Sequence, residues 1–394
     1  MNTMHRGVIT LIRSALTGEK LPLPEGFSLD EADSLIRRQS LLPLVYRGAE
    51  NCGLPLDTEL MQQYQQAYFR QVIRSAQQTR AVDQLLKAFE ENGIDYMPLK
   101  GYNLKKLYPQ PEMRMMGDAD ILIRVEQYGR IKPLMQSLDY EEAKESPYDF
   151  CWQGKHLYVE LHKQLFGPNQ TDLCGYFGNG WKTAVKGDGF GHTMCPEDEY
   201  VYIFSHMMKH FRYCGIGARQ IVDLYVFAKA FPALDKASID GIMDRIGIGE
   251  FHRNICRLLK VWFEGAADDS MTDFITEYVF SSGNFGSMQN KLYSEELINA
   301  QKSGQIKGAK SRTFVQALFL PLEQMQDSYN ILYKYPILLP VFWVVRWFDV
   351  LLHRRSRIAK KFEIIHNMTD EKVEQYQQAL AYMGLDYHFV EDED

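Results

Sequence analysis

The stretch 99–123, LKGYNLKKLYPQPEMRMMGDADILI, decides the fold. It leaves an apolar run at Leu99, turns through Lys100-Gly101, passes a helix-like Tyr102 to Leu107 and ends in the strand-like DADILI of 118–123. Side chains alternate across a strand, so Asp118 and Asp120 share one face while Ala119 and Ile121 point the other way, into a core. Two carboxylates side by side repel unless something positive lies between them. A divalent metal is the economical partner, and Mg2+ characteristically takes one or two carboxylates together with substrate phosphates. An isolated Asp-x-Asp also serves as a solvated turn before a strand, so the weight rests on its neighbours. Gly101 would let a phosphate approach the backbone at a helix N-terminus, with Lys100 facing it. A third acid, Glu160, lies in LYVELH (157–162), whose period of two puts Tyr158, Glu160 and His162 on one face. If the two strands adjoin, three carboxylates meet at one edge of a sheet.

Outward from this stretch the texture is α/β: IDYMPL (94–99), DADILI, a helix near 126–138 and LYVELH suggest a small sheet. Residues 1–92 read as helical. Apolar stripes run over Val8–Leu16 and Leu29–Ile36, the second capped by Ser28 with Glu31 three residues on. A longer helix should run from Asp57 to Glu91 and stop at Asn92-Gly93. From Pro196 helices return over 197–212, 217–231, 234–246 and 249–264. The segment 281–312, rich in Ser, Gly, Asn and Lys and carrying Lys302, Lys307, Lys310 and Arg312, reads as a long exposed loop. A last helical block covers 313–385 before the acidic tail Glu391–Asp394. The expected plan is α+β: an N-terminal helical region (1–92), an α/β core with a small mixed sheet (93–195) and a large C-terminal helical region (196–394).

The 394 residues hold 44 Lys and Arg against 51 Asp and Glu, a formal charge of −7, which argues against a surface built for long nucleic acid. Six cysteines stand apart without a C-x-x-C pair, so no zinc ribbon is spelled. Charges interrupt the first twenty residues, which speaks against a secretory signal and for cytoplasmic residence. In 335–352, YPILLPVFWVVRWFDVLL, Arg346 ends the charge-free run and Pro336 and Pro340 weaken it, so no transmembrane segment is expected. A buried helix is expected there instead, followed by a solvated basic run (Arg354, Arg355, Arg357, Lys360, Lys361), with no peripheral membrane contact.

The order Lys-Gly before a helix, then Arg-x-x-x-Asp-x-Asp on the next strand, then Glu-x-His on a later one, resembles the uncharacterised nucleotidyltransferase family of the DNA polymerase β superfamily. Leu99-Lys100-Gly101, Leu104, Leu107-Tyr108-Pro109, Pro111, Arg114, Asp118, Asp120, Ile121 and Leu122 carry the resemblance. Pro196-Glu197, His206-x-x-x-His210 and Arg219-x-x-x-Asp223 extend it. The superfamily usually has Gly-Ser or Gly-Gly where this chain has Lys-Gly, which leaves phosphate contact to Lys100 and the Gly101 amide. The resemblance implies transfer of a nucleoside monophosphate from an NTP to a hydroxyl of a small molecule or protein, dependent on Mg2+ or Mn2+. Asp118, Asp120 and Glu160 would be the catalytic acids and metal ligands, with Glu160 drawing the acceptor's proton. Lys100, Gly101 and Arg114 would bind the nucleotide, and His162, His206, His210, Arg219 and Asp223 would face the substrate cleft.

By spacing alone, His206 and His210 could also be a helical zinc pair if Cys214 supplied a third ligand, and Arg219 and Asp223 an intrahelical ion pair. Lys209 and Arg212 add positive charge. Two other functions compete: a catalytically silent nucleotide-binding scaffold of the same fold, and a phosphohydrolase resting on His206, His210 and Asp223. Three acids on compatible faces favour the transferase.

Overall fold

Asp118–Ile123 forms an interior strand of a five-stranded sheet because its alternate residues Ala119, Ile121 and Ile123 are fully buried in one apolar cluster. The computed structural model describes residues 1–385 except 168–169, 285, 304–307, 327, 330 and 354. The acidic tail, Lys307 and Arg354 therefore lie outside the described residues. Two compact units divide the chain: Met1–Phe211 with Ile216–Phe285, and Arg212–Gly215 with Gly286–Asp394.

The first unit opens with helices α1 (Thr3–Thr17), α2 (Leu29–Arg38), α3 (Leu42–Cys52) and the 33-residue α4 (Glu59–Glu91). Ser28 caps α2 by accepting from the Glu31 amide, as its sequence suggested. Then come β1 (Tyr96–Pro98), α5 (Lys100–Lys105), β2 (Asp118–Ile123), α6 (Tyr128–Ser137), β3 (Glu141–Glu145), β4 (Asp149–Gln153) and β5 (Tyr158–His162). The sheet order is β1-β2-β5-β4-β3, with β2 and β5 parallel and the other neighbours antiparallel. Val82, Leu85 and Phe89 of α4 and Ile131 and Met135 of α6 share the buried cluster with β2, Trp152 of β4, and Val159 and Leu161 of β5. Burial of these side chains, at roughly 1.5–3 kcal/mol each, holds the apolar side of the sheet and leaves its other side to the acids. After α7 (Thr171–Phe177) and the ribbon of β6 (Ala184–Lys186) and β7 (His192–Met194) follow α8 (Pro196–Tyr213), α9 (Ala218–Ala230), α10 (Lys236–Arg245), α11 (Gly249–Phe263) and α12 (Ser270–Ser281).

The second unit contains α13 (Met288–Ser303), α14 (Ala309–Leu318), α15 (Leu322–Gln326), α16 (Ile331–Lys334), α17 (Leu339–His353), α18 (Arg355–His366) and α19 (Asp370–Tyr382). Two expectations fail here. The segment 281–312 is largely helical, not a loop: Leu292, Tyr293, Leu297 and Ala300 are buried on one side of α13 at spacings a polar composition conceals. The apolar run 335–352 is not a buried helix, because Ile337, Val341, Val344, Val345 and Phe348 are all exposed. No described helix is long and apolar enough to cross a membrane.

Candidate active site

Parallel pairing sets Asp120 directly opposite Glu160, with Asp118 opposite Tyr158 and Leu122 opposite His162. The polar faces of the two strands thus coincide. The chain enters this edge through β1, where the Leu99 amide donates to the Asp120 carbonyl at 2.9 Å, so Lys100 emerges beside the acids. Lys100 has φ +34°, a left-handed conformation that costs a non-glycine residue about 1–3 kcal/mol and is held only where the surroundings demand it. Its Nζ donates to Asp120 Oδ1 at 3.2 Å and lies 2.9 Å from His206 Nε2. His162 Nε2 meets the same Asp120 oxygen at 2.8 Å and stands 3.7 Å from Glu160 Oε2.

The charges around these acids are unevenly met. Burial opposes ionisation of Asp120, but Lys100 and the His162 hydrogen bond hold its carboxyl well below the usual range. Asp118 is pushed up by burial and then by Asp120. Glu160 is pushed up to about 7 by burial, with Asp120 and Asp118 adding repulsion. One carboxylate therefore has its counter-charges while two hold protons too tightly, as expected of an acid cluster short of positive charge. Donor atoms of Asp120, Glu160 and His162 lie within 4.8 Å of one another, close enough to share one ion. Asp118 stands outside that trio. Residues two apart on a strand are separated by about 6.5–7 Å, whereas the neighbouring strand is about 4.8 Å away, so Glu160 comes nearer to Asp120 than Asp118 does.

The family model described as an uncharacterised nucleotidyltransferase matches residues 25–264. The chain belongs to that family. The match takes in the whole sheet, both acid strands and α8 to α11. No curated protein and no solved structure matches the chain. Nucleotidyl transfer is thus the general role, and the protein is a transferase.

In this nucleotidyltransferase, α8 supplies the wall opposite the acids. Tyr202, His206, Lys209 and His210 recur at helical spacing, and the His206 and His210 rings stand 4.6 Å apart. Burial, then Lys100, lowers His206 far below its ordinary value; burial, then Lys209, brings His210 down to about 4. Both imidazoles are neutral at pH 7. Among the described residues, His206, His210 and Cys214 do not gather into a group whose donor atoms could share one ion. Burial, then Lys100, also lowers Lys209, while Asp120 and Glu160 pull it the other way. Tyr202 was missed in the sequence, although its position four residues before His206 put it on the same helix face.

Four residues expected at the site make other contacts. Arg114, assigned to the nucleotide, grips Asp223 in a fork, Nε to Oδ1 at 2.7 Å and Nη2 to Oδ2 at 2.9 Å, and both side chains are buried. Tyr108 donates to the same Oδ1 at 2.7 Å. Asp223 therefore belongs neither to a pair with Arg219 nor to a hydrolase site with His206 and His210. Gly101 is explained by packing. A Cβ there would meet Arg114 Nη1 at 3.3 Å and Met116 Cγ at 3.4 Å, and the Gly101 carbonyl accepts from Arg114 at 3.4 Å. Arg219 donates from Nη1 to the Met115 carbonyl at 2.7 Å, and its buried Nε has no hydrogen-bond partner among the described residues. Burial, then Arg114, lowers its affinity for a proton, whereas Asp118 is among the groups that raise it. A cavity of about 590 Å³ lies between α8, α9, α10 and α11, lined by Tyr200, Tyr225, His252 and Cys256 among others, and none of the three acids borders it.

Proposed function

We propose that the polar face shared by β2 and β5 is the catalytic centre for transfer of a nucleoside monophosphate from an NTP to an acceptor hydroxyl of a small molecule or protein. The observation that carries this reading is the register: Asp120 beside Glu160, with Asp118 on the same strand face and Lys100 at the end of the preceding strand.

The donor set fits a hard divalent cation such as Mg2+ or Mn2+, since it is dominated by carboxylate oxygens and is short of positive charge. Asp120, Glu160 and His162 would hold it, with Asp118 two residues along the same face of β2. A cation bound there supplies charge neutralisation of the triphosphate and of the oxyanions formed as the α-phosphorus is attacked.

The chain's own residues do the rest. Lys100 Nζ, set between Asp120 and His206, is the nearest flexible cation to an incoming phosphate, and the Gly101 turn brings it there. Glu160, paired opposite Asp120, accepts the proton of the acceptor hydroxyl at a carboxylate oxygen. The hydroxyl oxygen forms its bond to the α-phosphorus as the bond to pyrophosphate breaks. His162, bonded to Asp120, fixes that carboxylate's orientation, and neutral His206 and His210 offer the acceptor uncharged hydrogen-bonding groups. Arg114 is a positioning residue: through Asp223, Tyr108 and the Gly101 carbonyl it holds the Lys100-Gly101 turn in place.

The test incubates the protein with each of the four NTPs labelled at the α-phosphate, Mg2+ or Mn2+, and fractions of a cell extract. Label should move from the NTP to an acceptor with release of pyrophosphate. Asp120→Asn and Glu160→Gln should each lower the rate by about 10³-fold. Undiminished transfer by folded Asp120→Asn would refute the assignment.

A further inference from the structure

The outward face of α17 is apolar from Val341 to Phe348. Val341, Val344, Val345 and Phe348 follow the helical spacing of i, i+3, i+4 and i+7, and Ile337, one turn earlier, extends the row. Ile337 is 87% exposed, Val341 57% and Phe348 62%. Tyr333 and Tyr335 of the preceding turns are exposed as well. A stripe of this length belongs against something apolar.

It is not waiting for its own core, because the opposite side of the helix is already engaged. Trp343 Nε1 donates to the Leu320 carbonyl at 2.9 Å and Trp347 Nε1 to the Leu318 carbonyl at 2.8 Å. Phe319 packs edge-on to both indoles, at 5.1 and 5.4 Å between ring centres. These contacts fix the rotation of α17 and turn the valine–phenylalanine stripe outward.

Charge identifies what covers it. Residues 329–362 carry seven Lys and Arg against one acid, Asp349, a net +6 in a chain whose total is −7. Four of the seven, Arg355, Arg357, Lys360 and Lys361, lie on α18 immediately after the stripe. A second copy of this chain would bring +6 against +6. An anionic lipid surface meets both demands at once: its acyl boundary takes the apolar stripe and its headgroups take the basic residues. We propose that the second unit docks on an anionic membrane surface through this face of α17, lying in the interface plane. No described helix is long and apolar enough to cross a bilayer, and the proposed attachment is peripheral. It replaces the sequence expectation of no membrane contact, which rested on α17 being buried.

The test sediments the full-length protein with lipid vesicles. It should co-sediment with phosphatidylcholine vesicles containing about 30% phosphatidylserine and at least about tenfold less with pure phosphatidylcholine. Raising salt from about 0.1 to 0.5 M should weaken the binding. Val344→Asp/Phe348→Asp should lower partitioning at least about tenfold, since it removes two apolar side chains from the interface. Both positions are exposed, so the variant should keep the wild-type circular dichroism and melting temperature; the charge variant Lys360→Glu should weaken binding without touching the stripe. No binding of wild-type protein to the phosphatidylserine vesicles would overturn the proposal. So would a dimer, measured by light scattering, that Val344→Asp/Phe348→Asp converts to monomer, because the face would then belong to a second copy.

Discussion

Replacing Asp223 by Ala separates the two roles open to Arg114. Asp223 accepts three short hydrogen bonds, two from the Arg114 fork and one from Tyr108, and all three side chains are buried. Removing the carboxylate strands a buried guanidinium, and breaking such a pair from one side costs about 3–5 kcal/mol. Against a domain stability of about 5–15 kcal/mol, the variant should still fold but with much reduced margin. With a urea slope of about 3 kcal/mol/M, the midpoint for the first unit should fall by about 1–1.7 M. Arg114→Met should lose a similar amount. Asp223→Ala/Arg114→Met should lose less than the two single variants summed, since neither charge is then left alone. Urea titration followed by tryptophan fluorescence and far-UV circular dichroism reads all four proteins. An unchanged midpoint in Asp223→Ala, with NTP affinity lost in Arg114→Met, would refute the positioning role and return Arg114 to the nucleotide.

Lys105 is almost completely buried, with Nζ bonded to the Ser75 carbonyl and Thr79 Oγ1 and, among the described residues, no acid within hydrogen-bonding distance. Burial, then Arg114, lowers it to about 8. The unfolded chain therefore binds its proton more tightly between about 8 and 10.5, so this lysine destabilises the fold at neutral pH and ceases to do so as pH rises through that window. Lys105→Met should be more stable than wild type by about 1–2 kcal/mol at pH 7, an advantage that thermal melts should show shrinking towards pH 10.5. Lys100→Met should raise the apparent KM for NTP at least about tenfold, and a larger loss of secondary structure than of affinity would contradict its phosphate role. His162→Phe should lower the transfer rate by about 10- to 100-fold while leaving NTP binding in place, as suits a group that orients Asp120. If NTP binding falls as far as the rate does, His162 has another task.

The two acid strands were legible because DADILI and LYVELH alternate strictly, and the alternation assigns each carboxylate to a face before any fold is known. Their adjacency and parallel register were not written locally, since pairing depends on the crossover through α6, β3 and β4. β3 itself, Glu141–Glu145, was invisible: all five residues are exposed and four of them are charged, as suits an edge strand that discourages further pairing. Arg114 illustrates the limit at the site. Its spacing from Asp118 suggested a phosphate contact, yet its partner lies 109 residues away on α9. Conversely, α17 looked like an interior helix because a hydrophobic stripe reads as core by default, and only the indole contacts on its other side reveal which way the stripe points.

The central claim is that Asp120, Glu160 and His162, with Asp118 on the same face of β2, form one centre for a divalent cation and an NTP. Its most direct measurement is Mn2+ binding followed by electron paramagnetic resonance, with and without a non-hydrolysable NTP, in wild type and in Asp118→Asn/Asp120→Asn. Wild-type protein should bind Mn2+ more tightly when the nucleotide is present, and the double variant, with unchanged circular dichroism, should lose at least about 100-fold in affinity. Undiminished Mn2+ binding by the folded double variant would contradict the account.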